Sequence, residues 1–227
     1  MTASSAALQS DRPDQWSRRD VWCRRDVMCG LTALGIGLVA GRSPAADVGA
    51  DRVCSVVIDT ALGPIGVLLE LGRAPASAGD FLKYVDRGLY AGATFYRTVR
   101  PDDDPMPVKI EVVQGGLTDE SKFLAPIAHE PTNQTGLRHR NGSISIARGE
   151  VGTGTAGAFF ICIGDQPELD FGGRRNPDGQ GFAAFGHVTS GMELIRKIGA
   201  LKTQGPPRSS GGELIASPVQ IVRARRV

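Results

Sequence analysis

The chain has 227 residues, of which 41% are hydrophobic and 22% charged, and its formal net charge is +2. This length is enough to bury a core in one or two domains, and the balanced charge excludes a basic field for nucleic acid or an acidic tail. Thirty glycines, 14 prolines and only 6% aromatic residues indicate many turns between short elements and disfavour a long helical bundle.

The first fifty residues have the pattern of an export signal. Two arginine pairs, Arg18-Arg19 and Arg24-Arg25, precede an uncharged, glycine-containing run over Val27–Gly41. This run is shorter than the roughly 20 apolar residues that span a bilayer. Small residues follow it, and Ala46 or Ala50 would end a cleavable signal. We therefore predict a signal peptide and disordered leader over residues 1–50 and a mature domain over residues 51–227.

Paired arginines before a weakly hydrophobic run resemble a twin-arginine export signal. Neither pair is followed by the full hydrophobic consensus, so the general secretory route and a disordered, tethered N-terminus remain alternatives. Cys29 precedes the apolar run and is therefore not a convincing lipid-anchor site. We expect an exported protein, periplasmic or extracellular, with no stable membrane insertion after removal of the signal.

Eight segments of the mature chain are predicted to be strands because they are short, rich in Val, Ile and Phe, and bounded by Gly, Pro or Asp. They are Val53–Thr60, Ile65–Glu70, Thr94–Val99, Ile110–Gln114, Ser143–Ala147, Phe159–Ile163, Ala184–Val188 and Val219–Arg225. A first helix is predicted over Pro75–Arg87, with Gly88 as its stop. A second helix is predicted to end at Gly199, and Ser190 and Glu193 have the spacing of a capping box at its start.

These elements fit one domain of the mature chain. Strands do not alternate with helices one for one, so a doubly wound parallel sheet is disfavoured. A closed antiparallel barrel removes vulnerable sheet edges and suits the pattern better. We therefore predict a mainly β fold, a closed eight-stranded antiparallel β-barrel capped by two α-helices. Cys54 and Cys162 lie in apolar segments, where buried thiols are preferred over the alternative of one disulfide.

Motifs for cofactors, metals and nucleophiles are incomplete. The glycines over Gly152–Gly157 have the spacing of a dinucleotide fingerprint, but Ala158–Ile163 after them reads as a strand instead of the required helix. Ser143 and Ser145 lack the strained elbow of a serine hydrolase. No metal-ligand spacing connects the histidines to one another or to cysteine: His129, His139 and His187. We therefore predict no cofactor and no metal.

Three blocks follow one another in the chain: Phe95-Tyr96-Arg97, Gln114-Gly115-Gly116 and Phe159-Phe160-Ile161. Asn141–Arg148 (NGSISIAR) precedes the last block and Asp178–Val188 (DGQGFAAFGHV) follows it. In this order they resemble the cyclophilin family of peptidyl-prolyl isomerases, in a divergent bacterial branch, over roughly residues 53–226. The resemblance implies a barrel capped by two helices and an enzyme whose substrates are proline-containing proteins or peptides.

The resemblance also implies roles for individual residues. Rotation about an X–Pro bond faces a barrier of about 18–20 kcal/mol, and a catalyst must bind the twisted amide better than the planar forms. Arg97 is the implied hydrogen-bond donor to the prolyl nitrogen, Phe160 lines the proline pocket, and Gln114 orients Arg97 or the substrate backbone. Implied substrate-binding positions are Ala147, Arg148, Gly149, Leu169 and Phe182.

Several pocket positions depart from the family pattern. Glu111 and Val112 stand where a Phe and a Met usually precede the Gln-Gly-Gly block. Glu168 stands at the position of the family's Trp, and the pocket His is replaced by Gly181 or Phe182. The leading hypothesis is an isomerase that acts as a folding catalyst on exported proteins. The alternative is a catalytically weak module that binds proline-containing segments.

An insertion, approximately Pro101–Lys109, lengthens the spacing between Arg97 and Gln114. Its aspartates, Asp102-Asp103-Asp104, are interpreted as a solvated loop rather than a metal site. Their charge predicts a rim that modestly favours substrates with Lys or Arg near the proline. No nucleic-acid partner is expected, and the domain is expected to be a monomer.

Overall fold

The computed structural model describes residues 52–207 and 212–227, and the predicted export segment, residues 1–50, lies outside them. The strands in this part are β1 (Cys54–Thr60), β2 (Gly63–Leu69), β3 (Thr94–Val99), β4 (Val112–Gly116), β5 (Ser143–Ile146), β6 (Ala158–Cys162), β7 (Ala183–Ser190) and β8 (Leu214–Arg226). The α-helices are α1 (Pro75–Asp86), α2 (Thr132–Thr135) and α3 (Met192–Gly199). Short 3-10 turns occupy Glu120–Lys122 and Pro167–Leu169.

The strands form one closed barrel in the order β1-β2-β7-β5-β6-β4-β3-β8. Every neighbouring pair is antiparallel, including the closing pair of β1 with β8. Closure pairs both sides of each strand, so the barrel presents no edge to solvent. The predicted fold class, a closed eight-stranded antiparallel barrel, is confirmed.

Strand β8 is longer than predicted because a proline within it is accommodated by an irregularity. The prediction began at Val219, directly after Pro218, whereas β8 begins at Leu214. Against β3, Val219 pairs with Phe95 but Leu214 pairs with Arg97, so the register shifts across Pro218. A proline cannot donate to a regular ladder, and a bulge is the position in a sheet that tolerates it.

The two longer helices pack against the barrel wall. Helix α1 contacts β7 and β8, and its apolar residues at helical spacing are all buried: Ala78, Phe81, Leu82 and Val85. The ring centroid of Phe81 lies 5.0 Å from that of Tyr90 and 5.3 Å from that of Phe185, which joins the helix to the barrel's aromatic core. Helix α3 contacts β2, β3 and β4.

The predicted capping box of α3 is wrong. Ser190 is the last residue of β7 and pairs with Gly66 of β2. The N-cap of α3 is Gly191, which has a φ of 89° and makes no side-chain cap hydrogen bond. A Cβ atom at Gly191 would lie 2.9 Å from the carbonyl oxygen of Pro64, so the turn from strand to helix requires glycine. The strand therefore keeps Ser190 from capping the helix.

Helix α2, a single turn whose C-cap residue Gly136 has a left-handed conformation, was not predicted.

Cys54 and Cys162 are both buried, in β1 and β6. Burial raises the pKa of the Cys162 thiol well above its ordinary value, which keeps it protonated and unreactive. Over residues 52–207 and 212–227, no helix has the length and apolar character needed to cross a membrane.

Candidate active site

Strands β4 and β6 form the floor of a groove of about 890 Å³. Gln114 pairs with Phe160 at its centre, Val112 pairs with Cys162 towards one end, and Gly116 pairs with Ala158 towards the other. Alternate residues of a strand share a face, so Val112 and Gln114 line the groove together, as do Ala158 and Phe160. The groove therefore has a Val112 end and an Ala158 end.

All eight site residues predicted from the resemblance line this groove: Arg97, Gln114, Phe160, Ala147, Arg148, Gly149, Leu169 and Phe182. They come from β3, β4, β6, the segment after β5, the 3-10 turn at Pro167–Leu169 and the residue just before β7. The barrel topology thus brings the three sequence blocks to one surface.

The guanidinium group of Arg97 is held from two sides. Its Nη1 donates to Oε1 of Gln114 at 2.8 Å, while Nε and Nη2 donate to Oε2 of Glu213 at 2.9 and 2.5 Å. Gln114 in turn donates from Nε2 to the hydroxyl of Tyr96 at 2.8 Å. The Arg97 side chain keeps 32% of its surface exposed, so the group is fixed and still open to the groove.

Sequence reasoning missed Tyr96 and Glu213. In a regular strand, Tyr96 and Arg97 would point to opposite faces, but both line the groove. The register between β3 and β4 shifts between Phe95 and Arg97, and this bulge turns both side chains to one side. Glu213 lies 116 positions from Arg97, just before β8, and no sequence pattern pointed to it.

Phe160 is the centre of the apolar part of the groove. It is 5% exposed and belongs to a cluster whose other members are Val99, Ile110, Val112, Cys162 and Leu169. Phe182 packs edge-on against it, with the ring centroids 5.2 Å apart. A Cβ atom at Gly181 would lie 2.5 Å from the carbonyl carbon of Asp170, so Phe182, and not position 181, supplies the aromatic wall.

A buried polar array supports Phe160 from behind. The His139 ring stacks on Phe160 with centroids 5.9 Å apart, and its Nδ1 and Nε2 lie 2.8 Å from Asp170 and 3.0 Å from the Ser145 hydroxyl. Burial lowers the pKa of His139, although Asp170 opposes the shift, so the ring is neutral near pH 7. Nδ1–H then donates to Asp170, and Nε2 accepts from Ser145. Ser145 and His139 are 0% and 1% exposed, so substrate does not reach this Ser-His-Asp arrangement.

Arg148 acts on the groove through the loop that carries Phe182. Its Nε and Nη2 donate to the carbonyl oxygen of Gly181 at 2.9 and 2.6 Å, and its guanidinium also pairs with Asp178. The guanidinium carbon lies 5.3 Å from the centre of the Phe182 ring, and only 2% of the Arg148 side chain is exposed. Arg148 therefore fixes Phe182 against Phe160.

The predicted acidic rim is wrong for two of the three aspartates in the insertion. Asp104 is 0% exposed and pairs with Arg175, whose Nη1 lies 2.6 Å from its Oδ2. Asp103 is 7% exposed and pairs with Arg100. Only Asp102 of the run is exposed. The carboxylates of Asp103 and Asp104 turn inward because the guanidinium groups of Arg100 and Arg175 pair with them through hydrogen bonds.

The two glycines after Gln114 permit close backbone packing at the Ala158 end. A Cβ atom at Gly115 would lie 2.7 Å from the Phe95 ring. Gly116 has a φ of 125°, and a Cβ atom there would lie 2.1 Å from the carbonyl oxygen of Gly157.

Sequence reasoning also missed the groove residues at the Ala158 end: Leu117, Thr118, Glu120, Phe123, Thr153 and Thr155.

The region Gly152–Gly157 continues into β6, as the sequence predicted, so it lacks the helix of a dinucleotide site. Across residues 52–207 and 212–227, no cluster of three or more His, Cys, Asp or Glu side chains could hold a metal ion.

The groove combines the fixed guanidinium group of Arg97, the amide of Gln114 and the aromatic pocket at Phe160. These groups are suited to binding and polarising a neutral amide.

The chain is similar in sequence to known proteins. Residues 55–226 match the family described as cyclophilin type peptidyl-prolyl cis-trans isomerase/CLD. Peptidyl-prolyl cis-trans isomerase A of Dickeya dadantii is 34% identical over 152 residues, which cover 66% of this chain and 73% of that protein. Peptidyl-prolyl cis-trans isomerase cyp18 of Streptomyces antibioticus is 33% identical over 152 residues, which cover 66% of this chain and 85% of that protein.

Solved structures show the same fold. A cyclophilin type peptidyl-prolyl cis-trans isomerase of Cryptosporidium parvum matches with a TM-score of 0.55 and 17% identity, covering 78% of this chain and 98% of its own. A structure of that protein in the presence of the dipeptide Ala-Pro matches with a TM-score of 0.54 and 17% identity, covering 76% and 98%.

Proposed function

The chain belongs to the cyclophilin family of peptidyl-prolyl cis-trans isomerases, and from this premise we propose that it is a folding catalyst that accelerates X–Pro rotation in exported proteins. The observation that carries the proposal for the site is the pairing of Arg97 with Gln114 beside the Phe160 pocket. The fixed guanidinium faces the groove next to the wall that would hold a proline ring.

The proposed mechanism uses the N–H donors of Arg97 that are not engaged by Glu213 or Gln114. A guanidinium group has five N–H donors, and three of them are engaged by Glu213 and Gln114, so two remain. As the X–Pro bond twists, amide resonance is lost and the prolyl nitrogen regains a lone pair. A remaining N–H of Arg97 then donates to this nitrogen. The bond exists only in the twisted state and therefore lowers the barrier.

The substrate is held by two parts of the groove. The proline ring packs against Phe160, Leu169 and Phe182, whose apolar surfaces line one wall. The substrate backbone runs beside Ala147–Gly149, a segment fixed by the hydrogen bond from the Ala147 N–H to the Ala158 carbonyl oxygen at 3.0 Å. The structure of the Cryptosporidium protein in the presence of Ala-Pro supports a proline-containing peptide as ligand.

The isomerase mechanism is tested by exchange NMR on an Ala-Pro peptide. We expect the wild-type protein to accelerate cis–trans exchange at substoichiometric concentration. Refolding of a client protein limited by proline isomerisation should accelerate as well. Peptide binding with exchange at the uncatalysed rate would instead assign the chain to the proline-binding module.

The exported location is supported by the arginine pairs, the short apolar run and the small residues after it, all within residues 1–50. We expect that replacing Arg18, Arg19, Arg24 and Arg25 with lysine keeps the precursor in the cytoplasm, because a twin-arginine receptor reads guanidinium groups and not charge alone. Cell fractionation of a tagged full-length chain measures this. Unchanged export would point to the general secretory route or to the absence of a signal.

A further inference from the structure

The inserted loop, residues 101–109, is a fixed wall of the groove because Asp104 anchors it from inside. Asp104 accepts the backbone N–H groups of Met106 and Ile110 at 2.9 and 3.3 Å. Arg175, whose side chain is 9% exposed, reaches both Asp104 and the carbonyl oxygen of Val108 through Nη1, at 2.6 Å each. The two buried charges compensate each other, and this pair sets the position of the loop.

This anchoring leaves apolar side chains of the loop facing the groove. Met106 lines the groove and is 41% exposed, although a methionine is a large apolar residue. Ile110 also lines the groove, and it belongs with Val112 to the apolar cluster of Phe160. The apolar lining of the groove therefore includes Met106 of the loop as well as the Phe160 cluster.

Three of the four charged side chains in residues 101–109 are engaged within the fold, and the fourth, Asp102, is exposed. Asp104 pairs with Arg175, and Asp103 pairs with Arg100, whose guanidinium also donates to the carbonyl oxygens of Gly199 and Leu201. Lys109 donates from Nζ to the carbonyl oxygen of Asp104 at 2.6 Å. The end of the groove formed by the loop is thus suited to an apolar ligand group rather than a basic one.

The register of β4 and β6 places this lining relative to the rest of the site. Ile110 lies two residues before Val112, and Asp104 binds the backbone N–H groups of both Ile110 and Met106, which places Met106 towards the Val112 end. Ala147 bonds to Ala158 at the opposite end. Arg97 and Gln114 lie between the two ends. A peptide whose proline occupies the centre must therefore extend towards the loop on one side only.

We propose that Met106, Ile110 and Val112 form an apolar subsite that binds a leucine-like side chain of the substrate, on the side of the proline away from Ala147–Gly149. This inference rests on the proposed function because it extends the same groove. It assigns the insertion a role in substrate selection, and it replaces the basic preference predicted from the sequence.

Exchange NMR on peptides built around one Ala-Pro pair tests the subsite. Leu, Ser, Lys or Asp is placed in turn at the positions that flank the pair on each side. We expect kcat/KM for the Leu peptide to exceed that for the other three by about three- to ten-fold, on one side of the proline only. Methionine can adapt to an apolar partner of variable shape, so Ile and Met should substitute for Leu.

Two single-residue variants test whether Met106 is the source of the preference for Leu. Met106→Ser should bring the Leu peptide close to the Ser peptide. The matched control is Val151→Ser, because Val151 is 45% exposed on a turn and does not line the groove. Val151→Ser should keep the full preference for Leu. A binding measurement complements the kinetics: the Met106 methyl resonance should shift on addition of the Leu peptide and much less on addition of the Ser peptide.

The outcomes separate this inference from the proposed function. Acceleration that is equal for all peptides, or a Met106 methyl group that does not respond to the Leu peptide, overturns the subsite and leaves the isomerase site standing. A salt-sensitive preference for Lys also overturns it, in favour of an acidic rim. If no peptide is accelerated, the catalytic site fails, while the methyl shift still decides whether the subsite binds Leu.

Discussion

Among single residues, Arg97 is held in the groove more firmly than an ordinary surface arginine. Glu213 and Gln114 restrict its guanidinium group, and the bulge at Tyr96 sets the direction of its side chain. A restricted donor does not have to be ordered when the amide twists, so its hydrogen bond contributes fully to the transition state. The block Phe95-Tyr96-Arg97 predicted this residue, but the restraint from Glu213 required the structure.

Replacing Arg97 with Ala should lower kcat by about 30- to 1000-fold, the equivalent of about 2–4 kcal/mol, because a charge-assisted bond aimed at the transition state is lost. Peptide affinity should fall much less, since the Phe160 pocket remains. Arg97→Lys should not restore turnover, because an ammonium group lacks the planar fork. The double variant Arg97→Ala/Glu213→Gln controls for the carboxylate left unpaired. Wild-type turnover in either Arg97 variant contradicts the mechanism.

Glu213 is expected to act as a positioning residue. Glu213→Ala should lower kcat by about tenfold with little change in KM, because Arg97 loses the partner of two of its nitrogens. Glu213→Gln keeps an acceptor oxygen and should retain most of the activity. Exchange kinetics at several peptide concentrations separate kcat from KM. A faster enzyme after Glu213→Ala would instead mean that the carboxylate holds Arg97 away from the substrate.

At the scale of secondary-structure elements, the sequence predicted which segments are strands better than it predicted their irregularities. Hydrophobic content and bounding turns located β3 with the correct limits. The bulge that turns Tyr96 into the groove, the passage of β8 across Pro218 and the extension of β7 to Ser190 all depend on partner strands. Such features arise from contacts between distant segments, which a local pattern does not contain.

Strand β4 depends on Gly116 for its contact with the start of β6. Gly116→Ala should lower the free energy of unfolding by about 3–5 kcal/mol, because it adds backbone strain to a collision with the Gly157 carbonyl group. The control is Gly152→Ala, since Gly152 has a φ of +78° and nothing within 4 Å of the added Cβ atom. Strain alone should cost this variant about 1 kcal/mol. Urea denaturation measures both, and equal effects would rule out the collision.

For the molecule as a whole, the buried His139–Asp170 pair predicts a loss of stability in acid. The pKa of His139 is below its ordinary value of 6.5, so below about pH 6.5 the unfolded chain takes up a proton that the folded protein resists. Burial raises the pKa of Asp170, but hydrogen bonds from His139 and Arg138 outweigh burial and leave it lowered. The contribution of Asp170 is therefore present near neutral pH and lost at much lower pH.

Urea denaturation from pH 8 to pH 5 should show a free energy of unfolding that is steady above about pH 6.5 and falls below it. His139→Gln remains neutral across this range. The variant should be less stable at pH 8, because Phe160 loses its stacking partner, but its stability should change little between pH 6.5 and pH 5. An unchanged acid response in the variant would assign the effect to other groups.

The sequence predicted the class of barrel but only part of the groove. Short apolar segments without regular helices between them sufficed for a closed antiparallel sheet. The resemblance supplied the eight groove residues, from Arg97 to Phe182. The aspartates of the insertion were misinterpreted because their burial depends on Arg175 and Arg100, which only the folded chain brings to them.

The pairing of β1 with β8 has a consequence for the newly made chain. Val56 pairs with Arg226, so the ring cannot close until Arg226 has left the ribosome. Until then, the two edge strands of the incomplete sheet remain unpaired and can associate with other nascent chains. Glu213 arrives on the segment that leads into β8, so ring closure and the anchoring of Arg97 coincide. The onset of isomerase activity during synthesis should therefore report completion of the barrel.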